Sequence, residues 1–343
     1  MPTFNEDITD ELIGHRLKVL RYEAGAVQDL LRIYDLALKD VLAETKTLKD
    51  NARKKGKPPS AQELARLRKA AAELRQKIRA LGILARKDLS TRLGEVARAE
   101  ADWHATRLAI PGVSFSAIPE ASVVAILEQP LGGGVWTDRL ATDLVQAQTG
   151  IQEAIARGLA RGASMDDIAR MLVNIDELAG ATRDRLLMIA RTEVQRVSNT
   201  VAMESYAANA DVVASVQYLA TLDSRTCLIC APLHNQVFPL ENGRPKGLER
   251  IPPLHPRCRC FLAPVTRSWS ELGLGPKRAK LFDGKPAERT SFDAWLRRHP
   301  KEAAEILGPT RLAMFEAGEP LSSFADQRRV LRVGELLARK NEG

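Results

Sequence analysis

The residues able to do chemistry in this 343-residue chain are concentrated between Thr221 and Val265. All four cysteines lie there, Cys227, Cys230, Cys258 and Cys260, with two of the five histidines, His234 and His255. Cys227-x-x-Cys230 has the spacing that wraps two sulfurs onto one ion, and His255-x-x-Cys258-x-Cys260 offers three more donors. Thiolate and imidazole together suit a soft, tetrahedral ion such as zinc, which takes four of them. Cys227, Cys230 and Cys258 are the expected ligands, and the fourth is either His255 or Cys260. His234 is a weaker candidate, because a lone histidine in a turn is ordinarily solvated. The competing expectation is four reduced thiols and no metal.

The stretch between the two cysteine pairs is rich in proline and glycine, from Pro232 to Pro256. Such a loop buries little and donates few backbone hydrogen bonds. A metal joining its ends would supply about 10–16 kcal/mol of apparent binding free energy. With all four positions filled by protein, the ion would be structural rather than catalytic.

Enzyme motifs built on the same residue types fail. A zinc deaminase pairs C-x-x-C with an upstream H-x-E, and no histidine here has Glu two places on. A redox C-x-x-C opens a helix, whereas Ala231-Pro232 follows this one. Gly132-Gly133-Gly134 is followed by Val135-Trp136 and not by the Lys-Ser/Thr of a phosphate loop. A His-metal nuclease would need His255 or His234 free as base beside Asp223 and Asn235.

The elements that must position this knot are mostly helical. Apolar residues at Leu20, Ala24, Val27, Leu31, Tyr34, Leu38, Val41 and Leu48 predict one long helix over about 8–50. Asn51–Ser60 breaks it at Gly56 and Pro58-Pro59, and Leu64, Leu67, Ala71, Leu74, Ile78 and Leu81 start a second. That helix reaches Trp103 or Leu108, with Gly82 and Gly94 as weak points. The pair predicts an antiparallel hairpin. A linker with a short helix at 121–128 follows, then helices over 137–161, 164–173 and 182–208. The last carries Arg191 and Glu193, two apart and so on different faces, each needing a partner from a neighbouring helix. Strands are expected at 212–219, 236–238 and 261–263, then helices from Ser291 and Lys301, a strand at 329–333 and a terminal helix. The expected fold is therefore mainly α with a small α+β module around the Cys/His knot. Its divisions are a basic hairpin at 1–110, a linker at 111–136, a helical part at 137–210, the β module at 211–268 and a helical region at 269–343.

Charge is unevenly placed. The net charge is +8, yet Lys46–Glu100 holds sixteen Lys/Arg against six Asp/Glu, leaving the remainder slightly acidic. The hairpin turn carries Arg53, Lys54, Lys55 and Lys57, a solubilising tip or a contact for duplex DNA or an acidic protein surface. The acidic start has no apolar run of a leader peptide. No stretch nears the about 18 apolar residues of a membrane span, so no membrane partner is expected.

TLDSRTCLIC, then LHNQVF, then PPLHPRCRCFLAPV resembles the signature of the phage Mu F-like head morphogenesis (minor capsid) family. The resemblance is carried by Asp223, Arg225, Thr226, Cys227, Cys230, Leu233, Val237, Phe238, His255, Pro256, Cys258, Arg259 and Cys260. Ile189–Glu193, with Arg191 and Glu193, is similar to the family's preceding helix, and the resemblance extends from about Thr137 to the end. His234 departs from it, where a small polar or acidic residue is usual. The resemblance implies a protein of the phage head, made in the bacterial host cytoplasm. It implies partners in the portal and other head proteins, packaged DNA near the basic hairpin, and a part in DNA packaging or delivery. It confers no enzyme class, so the expectation is a non-enzymatic head protein. The alternative is a metal-dependent nuclease, or an ADP-ribosyltransferase-like effector, delivered with the DNA.

Overall fold

Thr3 and Glu6 start the first helix reciprocally: the Glu6 N–H donates to Thr3 Oγ1 and the Thr3 N–H to Glu6 Oε2. This capping box begins α1 (Phe4–Arg53) several residues ahead of its apolar stripe. In the computed structural model α2 spans Ala61–Arg107 and runs through Gly82 and Gly94 without a break. A lone helical glycine costs only about 1 kcal/mol, less than tertiary packing returns. The structure describes residues 2–53, 61–109, 113, 115–128, 137–138, 142, 153, 165–273 and 283–341. The Arg53 side chain, Lys54, Lys55 and Lys57 lie outside the described residues, as does most of the helix expected over 137–161.

α3 (Glu120–Glu128) is the short helix expected in the linker. α4 is one helix, Met165–Ala207, where two were expected. No proline separates the two expected segments and Gly180 alone does not stop a helix. Four strands follow: β1 (Val213–Leu219), β2 (Val237–Glu241), β3 (Arg244–Pro245) and β4 (Phe261–Thr266). They form an antiparallel sheet in the order β3-β2-β1-β4. α5 (Phe292–Arg298) is capped by Ser291, whose side chain accepts from the Ala294 N–H. α6 (Pro300–Glu316) breaks at Gly308, φ 65°, before Pro309, and α7 (Val333–Asn341) is the last helix. The strand expected at 329–333 reduces to one bridge, Ala325 to Val330. The segment is instead a turn held by the Asp326 carboxylate, which accepts from the Arg328 and Arg329 N–H groups. Among the described residues no helix is long and apolar enough to cross a membrane.

The chain divides into two compact units, and α1, α2 and α4 each contribute a part to either. One comprises 21–94 and 128–193. There Ala26, Val27, Ala85, Leu89, Leu93, Ile189 and Ala190 are buried. Arg92 bonds Asp29 at 2.8 Å and Asp88 at 2.9 Å.

The other unit, 1–20, 95–127 and 194–343, holds the sheet and the knot. Its core joins Met203 and Tyr206 of α4 and Val216 and Tyr218 of β1. Leu262 of β4 and Phe292, Leu296, Leu307 and Phe324 of the C-terminal region complete it. Asparagines tie remote segments together. Buried Asn5 donates to the Lys285 carbonyl at 2.8 Å and accepts from the Thr266 N–H and hydroxyl. Asn209 exchanges hydrogen bonds with both backbone groups of Ser116.

Beside that core lies a buried polar seam. Glu100 of α2 is 1% exposed. Its Oε1 accepts from Arg16 of α1 at 3.2 Å and from the Ser198 hydroxyl of α4. Its Oε2 faces His15 Nε2 at 3.1 Å and His104 Nε2 at 3.6 Å. Arg16 also donates to Gln195 and Asn199 of α4. Burial pushes the Glu100 carboxyl up, but His104, His15 and Arg16 outweigh it and hold it well below the usual carboxylate range. Burial lowers the His104 pKa against the pull of Glu100.

Truncating one partner of a buried ion pair costs about 3–5 kcal/mol, because the other is left uncompensated. Arg16→Met is therefore expected to destabilise this unit by that amount, with Arg16→Met/Glu100→Gln recovering part of it, as read by urea denaturation. Acid acts in the same direction. The unfolded chain binds a proton at His104 below about pH 6.5, while the folded site, with its lowered pKa, resists it. Stability attributable to His104 is thus lost as pH falls below that value, and His104→Gln is expected to flatten the loss.

Candidate metal centre

The first cysteine pair is set by a side-chain-held turn. Asp223 Oδ1 accepts from the Arg225 N–H at 3.0 Å, an Asx-type turn. The Thr226 hydroxyl donates to the Thr221 carbonyl. Cys227 follows, and its carbonyl accepts from the N–H groups of both Cys230 and Ala231. That double acceptance folds Cys227-x-x-Cys230 into a turn continued by a 3-10 helix at Ala231–Leu233. The second set is placed by the chain entering β4. Arg257 takes a left-handed φ of 63°, and the Cys258 N–H donates to the His255 carbonyl at 3.2 Å.

A two-pronged ion pair closes the two halves. Arg259 Nη1 and Nη2 lie 2.5 and 2.6 Å from the two oxygens of Asp223. Burial would raise the Asp223 carboxyl, but Arg259 and then Arg225 bring it below the ordinary carboxylate range. Asp223, Arg225, Thr226 and Arg259 thus brace the knot rather than form a separate site. Arg191 and Glu193 are not brought to it. Arg191 pairs with Glu23 of α1 at 3.5 Å, and Glu193 is fully buried.

The five donors converge as two overlapping triads, Cys227/Cys230/His255 and Cys230/Cys258/Cys260, each with ligand atoms within 4.8 Å of one another. The Cys230 and Cys258 sulfurs are 3.8 Å apart, the S···S edge of about 3.8 Å that zinc–sulfur bonds of ~2.3 Å give in a tetrahedron. His255 Nε2 is 3.1 Å from Cys227 Sγ and 3.3 Å from Cys230 Sγ. The His255 Nδ1–H donates to the Pro256 carbonyl at 2.8 Å. That bond leaves the Nε2 lone pair for an ion, as in most histidine ligands. The donor set and its spacing fit a metal.

The electrostatics are divided. Hydrogen bonding to Cys227 and Cys258 raises His255 to about 10, against burial, so an ion would have to displace its Nε2 proton, and hydrogen bonds with Cys227, Cys258 and Cys260 push the Cys230 thiol up. The Cys227 thiol falls to about 4, through its hydrogen bond with Cys230, against burial, and through His255. Thiolate is the form that binds metals. Cys230, Cys258 and Cys260 are buried, while Cys227 and His255 are half-buried at the rim.

His234 stays outside the cluster. It is a structural link and not a solvated residue: Nδ1 accepts from the Ala220 N–H at 3.0 Å, and Nε2 donates to the Thr290 carbonyl at 3.1 Å. Sequence reasoning missed Asn199, whose side-chain N–H donates to the Cys260 carbonyl at 3.0 Å while its oxygen holds Arg16. The polar seam thereby reaches the knot. Its sequence traces are the Glu100-x-x-x-His104 spacing on α2 and the Gln195-x-x-x-Asn199 spacing on α4, since i and i+4 share a helix face. Arg16 in α1 leaves no such trace.

Removing a central ligand is expected to cost more than removing the brace. Cys230→Ser is expected to abolish metal retention through dialysis against a chelator and to lower the melting temperature. Asp223→Asn keeps one acceptor oxygen and is expected to retain the ion with weaker affinity. Elemental analysis and thermal denaturation of the two variants check this.

Residues 149–263, which include α4, β1 to β3, the first half of β4 and every candidate ligand, match the family model described as phage Mu protein F like protein. Searches of curated proteins and of solved structures return no match. Over residues 149–263, about a third of its length, the chain is therefore similar to the phage Mu protein F-like family.

Proposed function

We propose that the protein is a non-enzymatic minor component of a phage or prophage head. It acts on the portal side in head assembly and in DNA packaging or delivery. The observation that carries this is the family match over residues 149–263. The ion in the knot is zinc, by its affinity for a thiolate-rich set with one imidazole. Its work is to hold the proline-rich loop and the small sheet together. The helices of the hairpin contact the portal and neighbouring head proteins. The basic segment around Lys46–Glu100 faces packaged duplex DNA, through phosphate contacts that read charge and not sequence.

The nuclease alternative gains no support from the site. A general base needs a nitrogen free to take a proton; both ring nitrogens of His234 are engaged, and the ion of this proposal would take Nε2 of His255, whose Nδ1 is bonded to Pro256. An effector of the ADP-ribosyltransferase type has no observation in its favour.

Mass spectrometry of purified virions is expected to find the protein in the head fraction, and its absence from virions would overturn the head role. The full chain is expected to carry one zinc per molecule and to bind duplex DNA with an affinity that falls steeply with salt. Salt-independent binding would remove the DNA part of the proposal. Cleavage of DNA by the purified protein, lost in a folded His255→Ala variant, would favour the nuclease.

A further inference from the structure

The knot holds one donor more than a four-coordinate ion takes. Cys227, Cys230 and His255 form one triad, and Cys258 joins them through Cys230, 3.8 Å away, and through a side-chain hydrogen bond with His255. Those four can fill a four-coordinate shell. Cys260 belongs only to the triad on the far side, with Cys230 and Cys258. It is 3% exposed, and its backbone carbonyl is fixed by Asn199. Cys260 is thus a buried thiol within 4.8 Å of two ligand sulfurs.

A shell of three thiolates and one imidazole has a chemical weakness. Oxidation joins sulfurs in pairs, so three would give one disulfide and one unpaired sulfenic acid. An unpaired sulfenic acid is carried on to sulfinic acid, which reductants do not reverse. A fourth thiol beside the shell removes that outcome.

We infer that Cys260 is a reserve thiol that pairs with Cys258 when the knot is oxidised, so that the metal site converts reversibly into two disulfides, Cys227–Cys230 and Cys258–Cys260. This rests on the metal reading given above. A peroxide is the oxidant. It meets Cys227 first, because Cys227 is half-buried while Cys230, Cys258 and Cys260 are closed off. Peroxide transfers one oxygen to the Cys227 sulfur, giving the sulfenic acid and releasing the first water. The Cys230 sulfur attacks it, the S–S bond forms, and the oxygen leaves as the second water. The two sulfurs have lost two electrons, and one peroxide has become two waters. The ion now has only Cys258 and His255 and departs. A second peroxide repeats the sequence on Cys258, with the Cys260 sulfur as the attacking group. A bridge across a single intervening residue is tight, and strained disulfides are the more readily reduced. Reduction therefore returns four thiols to a knot ready for its ion.

The test uses the full chain and its Cys260→Ala variant, with Cys260→Ser as a second replacement should alanine disturb folding. Zinc per molecule is measured first. Both proteins are expected to hold one ion. A zinc-free wild type would defeat the metal reading before any oxidant is added, whereas zinc lost only from the variants would make Cys260 a ligand and overturn the reserve role. Hydrogen peroxide is then added, followed by dithiothreitol and zinc. Wild type is expected to release its ion, to become lighter by four hydrogens with Cys258 and Cys260 joined in peptide mapping, and to regain full zinc on reduction. The variant is expected to carry two added oxygens on Cys258 and to lose the ability to regain zinc. A free Cys260 in oxidised wild type, or a variant that recovers as fully as wild type, would overturn the inference.

Discussion

Glu100 is the point on which three helices depend. A carboxylate with 1% exposure is tolerated only when its charge is answered, since desolvating an ion costs several kcal/mol after relaxation. Arg16 from α1 and Ser198 from α4 answer it on one oxygen, and His15 and His104 face the other. Arg16 in turn is held by Gln195 and Asn199. Such a network specifies one packing arrangement more sharply than apolar contacts, because sliding any helix strands a charge. Asn199 carries the order onward to Cys260. The helices and the knot are thus joined by a polar chain, in which a side-chain N–H of Asn199 on α4 is satisfied by the Cys260 carbonyl.

The knot is built by a different rule. Contrary to the expectation from its proline content, its loop does bury apolar side chains, Ala231, Leu233, Phe238, Leu248 and Leu254, in the core, while Pro252 and Pro253 have no N–H to donate. Order comes from the ends: the Asp223 turn, the paired acceptance by the Cys227 carbonyl, the left-handed Arg257 and the Arg259–Asp223 closure. Arginine suits this closure because its planar fork matches both oxygens of a carboxylate at once.

Much of this was legible in the chain because the signals are local. The helical spacing of α1, the β-branched run of β1 and the Ser291 cap are local patterns, and the helix, the strand and the cap each appear where expected. The Cys and His spacings identified the donors for the same reason. What escaped was set by distant partners. Nothing in the sequence around 174–181 says whether one helix or two will form, and here α4 runs through. Val330 and Val333 have strand-like side chains, but Asp326 offers the backbone a turn instead. His234 looked solvated because Thr290, its partner, lies 56 positions on.

Asn5 has a consequence for the order in which the molecule is finished. Its side chain is satisfied by Thr266 and Lys285, and nearby Asp10 pairs with Arg289. The first turns of α1 emerge early in synthesis, and their partners emerge only after the whole sheet has been made. Until then Asn5 and Asp10 are answered by water, and the seat they occupy beside β4 does not exist. Pairings across so long a stretch of chain close late, because loop-closure entropy is lost before the contacts repay it. On the ribosome, α1 is therefore a helix waiting for its seat, which is complete only once Thr266, Lys285 and Arg289 have been made.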